Sequence, residues 1–183
     1  MKLLIILVIG LLSTMACAQN TEKLMTDKKP TLTEIHQFFA ADCNTKTWDL
    51  LDKQDRTADD NESMLNLAYA SAWHWSQCGN EANHQRAEWI LARVCTVLGY
   101  SEEALRHANK CMELTVKFKD KLEDFDVAYA HEALARLAAL KGDKVEWNKQ
   151  SKAATEAGNN IENDEDKNLF FSDFTGGNWY GMK

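Results

Sequence analysis

The stretch Arg86-Ala87-Glu88-Trp89-Ile90-Leu91-Ala92-Arg93-Val94-Cys95-Thr96-Val97-Leu98-Gly99 decides the fold. Its apolar residues Ala87, Ile90, Leu91, Val94, Cys95 and Leu98 sit at i, i+3, i+4, i+7, i+8 and i+11. That is one face of an α-helix, and Gly99 supplies the stop. The spacing predicts a helix over about 83–98. The device returns downstream, where Leu134-Ala135-Arg136 precedes Gly142 as Leu91-Ala92-Arg93 precedes Gly99, offset by 43 residues in every pair. A weaker third copy is Ser71-Ala72-Trp73 ahead of Gly79. Each copy places a small residue where two antiparallel helices approach closely, then a glycine at the turn. Helix pairs of this kind bury their faces by stacking on neighbours.

Working outward, the punctuation stays helical and strand signals are nearly absent. Thr31-Leu32-Thr33-Glu34, just after Pro30, has capping-box spacing and opens a first helix to about Asp42. A short second helix is expected around Trp48 to Asp52. Thr57-Ala58-Asp59-Asp60 opens a third that stops at Gly79. Ser101, with Glu102 and Glu103 in its first turn, starts the fifth, striped by Ala104, Leu105, Ala108, Cys111 and Met112. The sixth runs from about Asp126 to Lys141, the seventh from Asp143 to Gly158, and the last near Asn163 to Ser172. The expectation is an all-α fold of about eight helices in stacked antiparallel pairs over 31–172, followed by a Gly/aromatic tail over 173–183.

The N-terminal residues read as an address. Met1-Lys2 precedes an apolar run from Leu3 to Leu12, and Ala16-Cys17-Ala18 then gives an A-x-A ending before Gln19. That is the pattern of a secretory signal peptide over 1–18, with a flexible mature N-terminus over 19–30. The run is too short for a membrane span, which needs about 20 apolar residues, and no other run comes close. The expected destination is the periplasm or the exterior. The alternative is a lipoprotein tethered through Cys17, although Ser13-Thr14-Met15-Ala16 lacks the Leu usual three positions ahead of such a cysteine. A net charge of −7, with no long block of Lys or Arg, argues against nucleic acid as a partner. Export makes disulfides permissible. Cys43, Cys78, Cys95 and Cys111 allow three pairings, yet their helical, apolar settings suit buried free thiols. A Cys95–Cys111 bridge is excluded by the stagger of the two cysteines across the turn near Ser101; a Cys43–Cys78 bridge stays open.

The repeat resembles the tetratricopeptide repeat, with Ala92 at its eighth position, Gly99 at the fifteenth, Ala104 at the twentieth and Ala108 at the twenty-fourth. More specifically, Arg86 to Val94, Glu102-Glu103-Ala104-Leu105-Arg106-His107-Ala108 and Asp124 to Arg136 resemble a family of small bacterial repeat-like proteins without an established function. The likeness runs from about Cys43-Asn44 to Trp179. The period is 43 rather than 34, and Trp147 stands where the second copy would hold a small residue. The resemblance implies stacked helix pairs and carries no activity.

Catalytic motifs are wanting. His131-Glu132-Ala133-Leu134-Ala135 begins like a zinc-protease helix but has no second His at Ala135. Asp164, Asp166 and Asn168 fall at calcium-loop positions one, three and five, but Leu169 and Thr175 occupy the positions that need Gly and Glu. His36, His74, His84, His107 and His131 are never at ligand spacing. No nucleophile elbow or phosphate-cradling loop occurs. No metal and no cofactor is expected, and no catalytic residue is assigned.

The site expectation is therefore a groove. With Ala72, Ala92 and Ala135 taken as equivalent, the concave face receives Tyr69, Trp73, Arg86, Trp89, Arg93, Tyr129, Glu132 and Arg136. Two in-register arginines flanked by aromatics point to a peptide or protein partner with an anionic end. The competing local reading gives each arginine to its own helix, as a Glu132–Arg136 ion pair and a Trp89–Arg93 cation–π contact. The functional expectation is an exported interaction module. The other readings are a hydrolase-like enzyme with an unrecognised site and a purely structural envelope component.

Overall fold

The computed structural model describes residues 29–183, all-helical with no strand among them. The signal peptide expected over 1–18, Cys17 with it, and the segment 19–28 lie outside the described residues. Seven α-helices follow in order: α1 Leu32–Asp52, α2 Ala58–Cys78, α3 Glu81–Val97, α4 Ser101–Lys117, α5 Asp124–Lys141, α6 Lys144–Asn159 and α7 Asp164–Thr175, with a 3₁₀ turn at Lys119–Lys121 between α4 and α5. The chain divides after Ile35, and the packing described below is that of residues 36–183.

The two N-terminal helices expected over 31–42 and 48–52 are one continuous helix, which corrects the count of eight to seven. The physical reason is the lack of a breaker: neither Gly nor Pro occurs within Leu32–Asp52. Polar residues at the expected gap bond along the helix instead, Thr47 Oγ1 donating to the Cys43 carbonyl at 2.8 Å and Lys46 reaching Asp42 at 2.7 Å. The starts of α2, α3, α6 and α7 are capped by short polar side chains, which accept from otherwise unpaired N–H groups. Thr57 and Asp60 form a capping box on α2, Asn80 and Asn83 another on α3, and Asp143 and Asn163 cap α6 and α7. Gly99 and Gly142 close α3 and α5 with φ of 78° and 72°, the left-handed region that favours glycine.

The closest helix partnerships are α3 with α4 and α5 with α6, and α3 also lies against α5. Gln85 at the start of α3 bonds Thr115 near the end of α4, so these neighbours run in opposite directions. Alanines make the close approach: Ala92, Ala104, Ala108 and Ala133 share one buried cluster with Cys95 and Leu137. A second cluster packs Ala128, Ala135, Ala139 and Ala154 against Phe170, Phe174 and Trp179, with Trp147 half-buried at its border. The tail returns onto the helices, where Tyr180 donates its hydroxyl proton to the Thr96 carbonyl at 2.6 Å.

All four described cysteines are free thiols, Cys95 and Cys111 buried and Cys43 and Cys78 half-buried. The Cys43–Cys78 bridge left open by the sequence is therefore not formed. No described helix is long and apolar enough to cross a membrane.

Candidate functional site

The 43-residue offset becomes a spatial register because α3 and α5 lie side by side. Trp89 donates its indole N–H to Glu132 at 3.0 Å, and Arg93 donates to the other oxygen of that carboxylate at 2.5 Å. Arg136, one turn after Glu132 on α5, bonds the same oxygen. Glu132 is 0% exposed, so one buried carboxylate is shared by two arginines inside the protein. Burial alone would raise the Glu132 pKa, but the Arg136 and Arg93 charges outweigh it and hold the carboxyl below the usual range.

The tail seals this cluster. Arg136 donates to the Asp173 carbonyl at 2.7 Å and the Gly176 carbonyl at 3.1 Å, and the Trp179 ring covers its guanidinium at 4.2 Å. Gly177, at φ 75°, passes so close that an added Cβ would stand 3.2 Å from Arg136 and 3.4 Å from Arg93. Arg93, Glu132 and Arg136 therefore do not line an open groove. That corrects the expected grip on an anionic end: the buried carboxylate engages both arginines, and the returning tail covers them.

Tyr69 and Trp73 are placed elsewhere. The buried stripe of α2 is Met64, Ala68 and Ser71, at i, i+4 and i+7, so positions 69 and 73 fall off it. Tyr69 meets His107 at 3.2 Å, and Trp73 is 56% exposed beside His36 and His74. Ala72 is not the counterpart of Ala92, and the third copy of the repeat misleads there.

Arg86, Trp89 and Tyr129 do come together, on the wall of a cleft of about 500 Å³. Helix α1 contributes Asn44, Trp48 and Asp52, α2 contributes Trp75, and α5 adds Phe125 and Asp126, with Asp173 of α7 at the edge. The rings pack in series, Trp48 to Trp89 at 5.6 Å and Trp89 to Tyr129 at 4.6 Å between centroids. Arg86 forks onto Asp126 with bonds of 2.8 and 2.9 Å, and its guanidinium lies 4.8 Å over Phe125. The hydrogen bonds that Arg86 donates to Asp126 push the Arg86 pKa up. Asp126 also accepts from the Glu123 N–H at 3.1 Å and so braces the start of α5. Tyr129 donates to Asp173 at 2.7 Å. Burial pushes the Asp173 carboxyl above its usual value, although Tyr129 and the nearby arginines pull it back.

Sequence reasoning missed Trp48, Trp75, Phe125 and Asp173, which lie outside the 43-residue register. For Trp75 a signal existed: it extends the Met64–Ala68–Ser71 stripe by one more turn. Among the described residues no three His, Cys, Asp or Glu side chains converge as a metal site. The arrangement is a cleft with aromatic walls and fixed polar groups. No protein family, no curated protein and no solved structure matches the chain.

Proposed function

We propose that this protein is an exported interaction module, built of tetratricopeptide-like helix pairs, that binds a peptide or protein segment in the cleft walled by Trp48, Trp75, Trp89 and Tyr129. The observation that carries the reading is the clustering of three tryptophans from three helices around one recess of about 500 Å³. Aromatic side chains at a recess supply large contact area at small entropic cost and dominate binding surfaces. Export rests on the leader-like residues 1–18, and the repeat reading on the 43-residue offset. The anionic end of the partner is given up, since Glu132 occupies Arg93 and Arg136, and Asp126 occupies Arg86.

The test is selection of random peptides on the immobilised protein, repeated with Trp48→Ala. Trp48 is half-buried, so the variant stays folded, as an unchanged helical circular dichroism spectrum checks. Selected peptides are expected to lose about tenfold or more in affinity for the variant, as truncating an aromatic anchor does. Enrichment of no peptide, or peptides indifferent to Trp48, would remove the reading.

A further inference from the structure

The charged groups that edge the cleft are mostly acidic. Asp52, Asp126 and Asp173 edge it, and Arg86 is the one cation among its lining residues. Arg86 is already committed, with two of its nitrogens on Asp126 and its flat face on Phe125. Glu123 and Asp166 add further negative charge within electrostatic reach of that guanidinium. The chain as a whole carries −7.

An independent feature lies under the floor. Gln85 is 1% exposed and lines the cleft, and its amide nitrogen donates to Thr115 Oγ1 at 3.0 Å and to the Asp126 carbonyl at 3.2 Å. A carbonyl only accepts, so the amide cannot be turned over, and Oε1 faces the remaining side with no partner. A buried acceptor left without a donor is costly, and such groups in folded proteins call for an explanation. The tryptophan faces add a negative quadrupole to the same wall. The Asp52 carboxylate, the ring faces and the orphan amide oxygen all call for a group that donates and does not accept. Lys ammonium and Arg guanidinium are the donor-only side chains that also carry the positive charge an acidic rim favours.

We propose that the group seated in this cleft is the cationic side chain of a Lys or Arg in the bound peptide segment. The inference rests on the peptide-binding reading above and adds the chemistry of the residue recognised. Arg86 shows the mode inside the fold, as a guanidinium held at once by a carboxylate and a ring.

The experiment titrates the processed chain with Ac-Gly-Ala-X-Ala-Gly-NH2, with X being Lys, Arg, norleucine or Glu, and reads tryptophan fluorescence. Lys and Arg peptides are expected to bind about tenfold more tightly than the norleucine peptide, and the Glu peptide not to bind, in keeping with a desolvated cation–aromatic contact. Asp52→Asn keeps the shape of the side chain and drops its charge; it should weaken the Lys peptide about threefold or more and leave norleucine unmoved. Equal binding of Lys and norleucine, or of Lys and Glu, overturns the cation and leaves the peptide module standing. Silence from all four peptides overturns both readings. A fluorescence response to cellopentaose with none to peptides also overturns both and gives the cleft to a carbohydrate.

Discussion

Trp89 donates its indole N–H to Glu132 across 3.0 Å, and the two residues stand 43 positions apart, the offset that relates the two copies of the repeat. The register of the sequence is thus also a register of contact between α3 and α5. Its consequence is a division of labour along these helices. Early positions, Arg86, Trp89 and Tyr129, wall the cleft, while Arg93, Glu132 and Arg136, later in each helix, form a sealed ion cluster.

Replacing Glu132 with Gln is expected to destabilise the protein by about 3 kcal/mol or more, because two buried guanidinium groups then lack their carboxylate. Arg136→Ala is expected to cost a comparable amount, since it removes a donor from buried Glu132 and from the Asp173 and Gly176 carbonyls and leaves a void under the Trp179 ring. Chemical denaturation of both variants measures this. A loss below about 1 kcal/mol in each would show that the cluster is solvated.

The same cluster sets an acid limb. Glu132 has its pKa lowered in the folded state, so its contribution is present above the unfolded carboxyl value of about 4.3 and is lost as pH falls through the lower folded value. Unfolding free energy should therefore fall as pH drops below about 4.3, and Glu132→Gln should flatten that fall. Urea melts of the wild type and the variant between pH 3 and 7 decide it; parallel slopes would assign the acid limb to other carboxylates.

The legible part of the fold is the part written in local spacing. Gly99 and Gly142 mark turns because a left-handed residue is needed there, and the Ala87-to-Leu98 stripe is a helix face in any context. The uninterrupted α1 was hidden because its polar middle, Asp42 to Thr47, looks like a gap unless its own i, i+4 bonds are counted. The sealing of Arg136 was hidden for a different reason. Nothing near Trp179 in sequence says that it will lie 4.2 Å over a guanidinium 43 positions back. Of the cleft, Arg86, Trp89 and Tyr129 follow from the register of α3 and α5, whereas Trp48 and Trp75 come from helices that do not share it.

Gly177 is expected to resist substitution. Its φ of 75° strains an L-residue, and a methyl group would press on Arg136 and Arg93. Gly177→Ala should cost about 1–2 kcal/mol and raise amide hydrogen exchange across 176–183. Exchange and melting temperature both at wild-type levels would mean that the tail adjusts freely over the arginines.

The four thiols should divide by depth. Burial pushes the Cys95 thiol up to about 11 and that of Cys111 higher still, so neither carries a thiolate at neutral pH. Cys43 and Cys78 are half-buried, and Cys78 is held through its Sγ to the His74 carbonyl at 3.3 Å. Native-state alkylation with iodoacetamide at pH 8 should label Cys43 and Cys78 over minutes to hours, and Cys95 and Cys111 only when the protein unfolds. Peptide mapping without reductant should recover all four as free thiols, including after expression with export to an oxidising compartment. No Cys95–Cys111 bridge is expected in that map, because Cys111 lies beside Gln85 at 3.3 Å, and Cys95 stands ten residues, about 15 Å, further along α3. Finding it would mean that α3 and α4 do not pair as described, and the cleft built on α3 would fall with them.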